Sequence, residues 1–237
     1  MNVDTQCVIL AGGLATRLRP ITDNIPKSMV SIENRPFLKY QIELLKNKGV
    51  ANIVLCIGHK GDMIKNYFGN GSNLNVKISY SSEDTLLGTG GALRNATNIL
   101  QDSFLVLYGD AYLDVDYRKI VNYSKQINCP ALLTVFKNEG KFDTSNVIFI
   151  DDKFVLYDKQ NPTKEMQHID YGLSILSKRI VKQYIPRNTF YDLADCYNAL
   201  SKKNQLAGYE VKNRFYEIGT ASGLQDFKNF IKSQETG

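Results

Sequence analysis

The sequence predicts an α/β protein built on a mostly parallel sheet, with a β-rich lobe inserted near its middle. Three observations carry this. The first half alternates short apolar runs with amphipathic segments, the pattern of βαβ crossovers. The second half loses that alternation, and strand-like runs follow one another. Hydrophobic residues fill 43% of the 237 positions, enough for a real core, which argues against a disordered chain.

The elements follow in order. Cys7-Val8-Ile9-Leu10 is a short apolar run ended by Gly12-Gly13, as expected of a buried parallel strand. Residues 37–48 place Leu38, Ile42 and Leu45 on one helical face and stop at Gly49. Residues 52–57 are again a buried strand, 62–68 a helix and 76–81 a strand. A helix over 91–100 leads into a third buried strand, 104–108, halted at Gly109-Asp110. A helix over 117–125 and a strand over 131–136 complete the regular half. Residues 146–150 and 154–157 flank Asp151-Asp152, which reads as a hairpin, and 169–176 is another strand. Leu193, Tyr197 and Leu200 define one late helix face; Leu224, Phe227 and Ile231 define the last. No linker or repeat divides the chain. The expectation is one domain over 1–237, with a core over about 1–136 and 205–237 and a lobe over about 137–204.

Several function classes fall away. No apolar run approaches the roughly 20 residues a membrane helix needs. The first six residues lack a basic head leading into an apolar stretch, so no secretory signal is expected and a cytoplasmic location is. Cys7, Cys56, Cys129 and Cys196 lie far apart without a CxxC pair, so they read as reduced, mostly buried thiols. His59 and His168 are the only histidines, too few for a histidine metal site. The net charge of +5 is mild and the basic residues are scattered, which speaks against a nucleic-acid partner and suits a pocket for a phosphorylated small molecule.

The sharpest local signal lies just past the first strand, from Leu10 to Arg19-Pro20, then Pro26-Lys27. Glycines there let the backbone turn tightly and aim N–H groups at phosphate oxygens. Open α/β sheets bind ligands at these strand ends. Arg17 and Lys27 would add positive charge, one as a fork and one as a point. The loop matches neither the GxGxxG nor the GxxxxGK[ST] pattern, so local physics alone allows a phosphate site or an ordinary turn. The missing GxGxxG rules out a dinucleotide-binding dehydrogenase.

The run Ala11-Gly12-Gly13-Leu14-Ala15-Thr16-Arg17-Leu18-Arg19-Pro20-Ile21-Thr22, followed by Pro26-Lys27, resembles the signature of the nucleotidyltransferases that make nucleotide sugars. Ala15 departs from the glycine usual there. Leu87-Gly88-Thr89-Gly90-Gly91-Ala92 resembles the family's nucleobase-pocket stretch. Leu107-Tyr108-Gly109-Asp110 stands where the family has Asn-Gly-Asp, with Tyr108 for asparagine. Phe215-Tyr216-Glu217-Ile218-Gly219-Thr220 resembles the second metal-ligand stretch, with Glu217 for aspartate. Tyr157-Asp158-Lys159 and Ile169-Asp170-Tyr171-Gly172 stand where the family binds its acceptor, with several changes.

The resemblance implies a Rossmann-like three-layer nucleotidyltransferase fold and the reaction of an NTP with a sugar 1-phosphate to give an NDP-sugar and pyrophosphate. It implies Arg17 and Lys27 as catalytic residues. Leu10, Ala11, Gly12, Gly13, Thr16, Glu83, Gly88, Thr89 and Gly90 would bind nucleotide. Asp158, Lys159, Asp170 and Gly172 would bind the acceptor, and Asp110 and Glu217 would hold Mg²⁺. The closest likeness is to mannose and heptose 1-phosphate guanylyltransferases, which points to GTP. A cytidylyltransferase with a non-sugar phosphate acceptor, or a non-catalytic nucleotide-binding regulatory homologue, stays open. Family members are commonly dimers or larger, which implies a homodimer with no interface located.

Overall fold

A computed structural model describes residues 5–13, 16–127, 129–151 and 153–235. Leu14 and Ala15 of the glycine loop and Asp152 of the hairpin lie outside them. In chain order the elements are β1 (Gln6–Leu10), β2 (Ser31–Ile32), β3 (Arg35–Pro36), α1 (Phe37–Asn47), β4 (Asn52–Ile57), α2 (Gly61–Phe68), β5 (Lys77–Ser82), α3 (Gly88–Asn95), β6 (Ser103–Tyr108), β7 (Ala111–Tyr112) and α4 (Tyr117–Gln126). There follow β8 (Ala131–Lys137), β9 (Val147–Ile150), β10 (Lys153–Tyr157), β11 (His168–Ser177), α5 (Lys178–Tyr184), α6 (Leu193–Ser201), β12 (Ala207–Val211), β13 (Tyr216–Glu217) and α7 (Ala221–Glu235).

The main sheet runs β10-β9-β11-β6-β1-β4-β5, with β8 on the other side of β11 and β12 beyond β8. β1 pairs in parallel with both β4 and β6, and β4 with β5, as the alternating first half predicts. β11 enters antiparallel to β6 and β8. The stretch 137–204 therefore contributes a strand to the middle of the sheet and α5 and α6 to its flank. The β9–β10 hairpin extends the same sheet at its edge.

Strand periodicity builds the layers. Cys7 and Ile9 of β1 face a layer formed by α1, α2 and α4, through Leu38, Ile42, Ile64 and Ile120 among others. Val8 and Leu10 face the opposite layer of α3, α5 and α6, through Leu93, Ile180 and Tyr197. The central strands are thus apolar on both faces, which is why they read as continuous hydrophobic runs. The helices end where the chain provides stops and caps. Gly49 takes φ +88° after α1. Asp116 accepts the Lys119 N–H at the start of α4, and Asp192 the Ala194 N–H at the start of α6.

Two differences from the sequence expectation stand out. α3 begins at Gly88 rather than Gly91, because Gly90 and Gly91 donate their N–H groups to the Tyr191 carbonyl in the loop before α6. β12 and α5 carry little apolar periodicity of their own, and tertiary pairing with β8 and packing against β11 define them. Burial pushes the thiols of Cys7, Cys56 and Cys196 up, leaving them protonated and unreactive. Among the described residues no helix is long and apolar enough to cross a membrane.

A third cluster fastens α7 to the segment after β1. Phe227 is fully buried there, with its ring 5.0 Å from both Phe37 and Tyr112. Truncating it to alanine should cost about 3–5 kcal/mol, the usual scale for a buried aromatic. Equilibrium denaturation of Phe227→Ala measures this, and a loss under about 1 kcal/mol would show that the cluster does not hold α7.

Candidate active site

A cleft of about 750 Å³ opens at the carboxyl ends of β1 and β6. The backbone past β1 forms one wall. Ala11 donates to the Cys56 carbonyl, and Gly109 donates to the Leu10 carbonyl, 2.9 Å away. A Cβ on Gly109 would lie 2.7 Å from that same oxygen, so only glycine lets the two strand ends approach so closely. Leu10, Ala11, Gly12 and Gly13 all line the cleft.

The charged groups arrive on separate elements. Lys27 begins a short 3₁₀ turn, Lys27–Met29, preceded by Pro26. Asp110 sits in the turn between β6 and β7. Glu217 lies on β13, which pairs antiparallel with β7 so that Glu217 stands opposite Ala111. The Ile218 N–H donates to the Asp110 carbonyl. Lys27 Nζ lies 2.6 Å from Asp110 Oδ2. A Cβ placed on Gly219 would meet Arg17 Nη2 at 3.4 Å, Asp110 Oδ2 at 3.5 Å and Glu217 Oε1 at 3.7 Å. Two cations and two carboxylates therefore converge from four parts of the chain. Burial, and then the nearby Asp110 charge, push the Glu217 carboxyl above its ordinary range, while Arg17 and Lys27 pull it back.

Two carboxylates crowded in this way suit a hard divalent cation. Among the described residues no group of three or more His, Cys, Asp or Glu side chains forms a complete metal cage. A site with two carboxylates fits an ion of the Mg²⁺ type, which is commonly held by one or two carboxylates with phosphate oxygens and water.

Glu83 follows β5 and borders the cleft. A Cβ on Gly12 or Gly58 would come within 3.0 or 2.9 Å of its Oε1, so both glycines make room for this carboxylate. Its Oε2 accepts the Leu87 N–H at 3.4 Å, and burial pushes the carboxyl up. Gly88, at φ +73°, and Thr89 also line the cleft. The Thr89 hydroxyl is already engaged, donating to Asp192 and accepting the Leu193 N–H.

On the wall that the sequence assigns to the acceptor, β11 carries a bulge. Its pairing with β8 breaks between Asp170 and Ser174, and Gly172 takes φ +96°. The Gly172 N–H donates back to Asp170 Oδ1 at 2.9 Å, and the Asp170 N–H donates to Asn146. This aims Asp170 into the cleft beside Tyr108 and Tyr157. Burial pushes its carboxyl up to about 6. Lys159 also lines the cleft, 3.8 Å from Asp192.

Three residues assigned from the sequence fall outside the cleft wall. Thr16 is exposed beside it. Gly90 is buried against Tyr191, where its N–H anchors a loop. Asp158 turns away: its carboxylate accepts the N–H groups of Gln160 and Asn161 and closes a local turn. Nearby, Asp114 pairs with Lys48 and Asp116 caps α4. The sequence reading missed Asn146, Arg214 and Asp226, which also border the cleft.

The fold and this site define a nucleotidyltransferase. The chain belongs to the nucleotidyl transferase family, whose model matches residues 6–146. Its relatives are more particular. It is 32% identical over 227 residues to the D-glycero-α-D-manno-heptose 1-phosphate guanylyltransferase of Campylobacter jejuni, covering 95% of this chain and 98% of that protein. It is 33% identical over 177 residues to the enzyme of the same name from Aneurinibacillus thermoaerophilus, covering 74% and 76%. Among solved structures, HddC from Yersinia pseudotuberculosis complexed with GMP-PN superimposes with a TM-score of 0.78 at 27% identity, covering 96% of this chain and 99% of that one.

The Asp170 carboxyl carries a pH signature. Its pKa in the folded protein lies above its unfolded value, so the native state binds the extra proton. Its favourable contribution is complete below about pH 4 and is lost as pH rises through about 6. Asp170→Asn should flatten that part of the stability curve and be more stable than the parent at pH 8 by about 1–3 kcal/mol. Chemical denaturation at pH 4, 6 and 8 checks it; a variant less stable at pH 8 would show that the carboxylate is satisfied in the fold.

Proposed function

We propose that this protein condenses GTP with a mannose- or heptose-type sugar 1-phosphate, giving a GDP-sugar and pyrophosphate. The observation that carries the reading is the convergence of Arg17, Lys27, Asp110 and Glu217 at the mouth of a cleft floored by the β1 glycine turn. Such an array stabilises phosphate charge and needs no protein nucleophile. Among the described residues no imidazole or thiol lines the cleft.

In this mechanism the Gly12-Gly13 backbone and Arg17 hold the triphosphate and the departing pyrophosphate. An acceptor phosphate oxygen attacks the α-phosphorus in line, and the bond from the α-phosphorus to the bridging oxygen of the β-phosphate breaks. Lys27 neutralises charge at the α-phosphate, and Lys159 draws in the acceptor phosphate. Rate enhancement comes from positioning and charge stabilisation. Asp110 and Glu217 would hold Mg²⁺, which supplies Lewis-acid stabilisation of the phosphate oxygens. Tyr108, Tyr157 and Asp170 offer the acceptor aromatic faces and a hydrogen-bond acceptor for hydroxyls. The reading includes a homodimer and a cytoplasmic setting, where NTPs are made. The full set of converging charges favours catalysis over a purely regulatory role.

Glu83 supports guanine as the base. Guanine presents two adjacent donors, N1–H and the 2-amino group, which match the two oxygens of a carboxylate. Uracil, cytosine and adenine each place an acceptor beside their donor on that edge, and an acceptor facing a carboxylate is repelled.

The test is pyrophosphate release with Mg²⁺, crossing the four NTPs with a panel of sugar 1-phosphates. Turnover with GTP and a mannose- or heptose-type phosphate is expected. Turnover only with CTP and a non-sugar phosphate would replace this reading, and absence of NTP binding would end it. Lys27→Ala and Asp110→Ala should each lower kcat by about 10²–10³, the scale of one lost electrostatic group; activity near the parent level in both would sink the mechanism. Glu83→Gln should lower kcat/KM for GTP by about 10–100-fold, the worth of one hydrogen bond to a charged group, and narrow its lead over UTP. An unchanged base preference would remove Glu83 from base reading.

A further inference from the structure

The cleft's charges depend on a turn that is only four residues long, and one buried side chain outside the cleft grips both of its ends. Gln41 stands in the middle of α1, on the stripe otherwise filled by Leu38, Ile42 and Leu45. It is 1% exposed. Its Nε2 donates to the Tyr108 carbonyl at 2.9 Å and also to the Ala111 carbonyl. Those carbonyls bracket Gly109 and Asp110. The amide oxygen, Oε1, is buried without a hydrogen-bond partner. A buried amide that leaves its acceptor unpaired while spending both hydrogens on one turn is held there for its donors. The other fixings of the turn come from different directions: Gly109 donates to the Leu10 carbonyl from the β1 side, and Ile218 donates to the Asp110 carbonyl from the β13 side.

α1 also reaches the other partner of the central ion pair. The Phe37 N–H, at the start of the helix, donates to the Val30 carbonyl, and the Val30 N–H donates to the Lys27 carbonyl. One helix thus touches the turn bearing Asp110 through Gln41 and the turn bearing Lys27 through its first residue.

We propose that Gln41 is a positioning residue for nucleotidyl transfer: its amide clamps the Tyr108–Ala111 turn to α1 and so sets where the Asp110 carboxylate stands relative to Lys27 and to the cation held with Glu217. Gln41 touches neither substrate nor metal in this role. A rigid shell around a reacting centre matters because a displacement of about 1 Å can cost about 10²-fold in rate. The inference rests on the reading of Asp110 as a metal- and phosphate-handling carboxylate.

The experiment compares Gln41→Met, which keeps length and apolar fit but lacks both donors, with Ile42→Ala, which opens a cavity beside the same helix and leaves the Gln41 amide in place. Asp110→Asn runs alongside. Three quantities are read: melting temperature, kcat and KM for GTP, and Mn²⁺ binding by calorimetry in the presence of a non-hydrolysable GTP analogue. Gln41→Met is expected to lower kcat by about 10–10²-fold with KM for GTP changed less than about threefold, and to weaken Mn²⁺ binding about tenfold. Ile42→Ala is expected to lower the melting temperature while leaving kcat and Mn²⁺ binding near the parent values. If Gln41→Met changes only the melting temperature, or if Ile42→Ala reproduces its losses in kcat and Mn²⁺ affinity, Gln41 is structural and the proposal is overturned. If Asp110→Asn itself retains Mn²⁺ binding and turnover, the reading of the centre fails first and the inference falls with it.

Discussion

The centre of this molecule has to keep two carboxylates close together in a half-buried place, and much of the surrounding architecture answers that demand. Asp110 and Glu217 repel each other, and burial strengthens the repulsion. Lys27 and Arg17 offset it. Neither carboxylate reaches the spot on its own. Asp110 is carried there by the end of a core strand, and Glu217 by a two-residue strand whose register is fixed by pairing with β7. The pair stays together because α7 and its aromatic cluster hold the β7–β13 ribbon against the segment that leads into α1. A tail helix far along the sequence thus takes part in setting the geometry of a site whose first residues come from β1.

The parts of the site legible in the sequence are those whose residue types the local backbone demands. Gly12 and Gly109 declare close approach, and Arg17, Lys27 and Asp110 declare charge at strand ends. The buried strands were legible because both faces are apolar. What stayed hidden depends on partners distant in sequence. Gly90 is tied to the Tyr191 carbonyl of a remote loop, while Asp158 closes its own local turn and Thr16 stands exposed beside the cleft. Asn146 carries no signal of its own; it matters because it receives the Asp170 N–H across the bulge. β12 and α5 were invisible for the same reason. Gln41 did leave a trace, as the one polar residue in an apolar helical stripe, but the pattern alone gives no target for it.

The two halves of the cleft are built by different means. The β1 side is parallel sheet and glycine turns, where close backbone approaches define the wall. The β11 side is antiparallel, lined by tyrosines and a raised carboxyl on a bulged strand. The β1 wall is sensitive at its glycines, where a Cβ on Gly12 or Gly109 would crowd its neighbours, whereas the β11 wall presents larger side chains.

That contrast gives the bulge in β11 a meaning. Residues 173–177 keep the strand in register with β6, and 168–170 pair with β8 before the break. Tyr171 and Gly172 lie in the gap, free of ladder obligations on the β8 side. They shape the cleft wall without setting the register on which the sheet depends, and each is constrained in its own way: Gly172 by its positive φ and Tyr171 by burial in the core. The interruption separates the stretch of β11 that holds the sheet together from the two residues that shape the cleft wall.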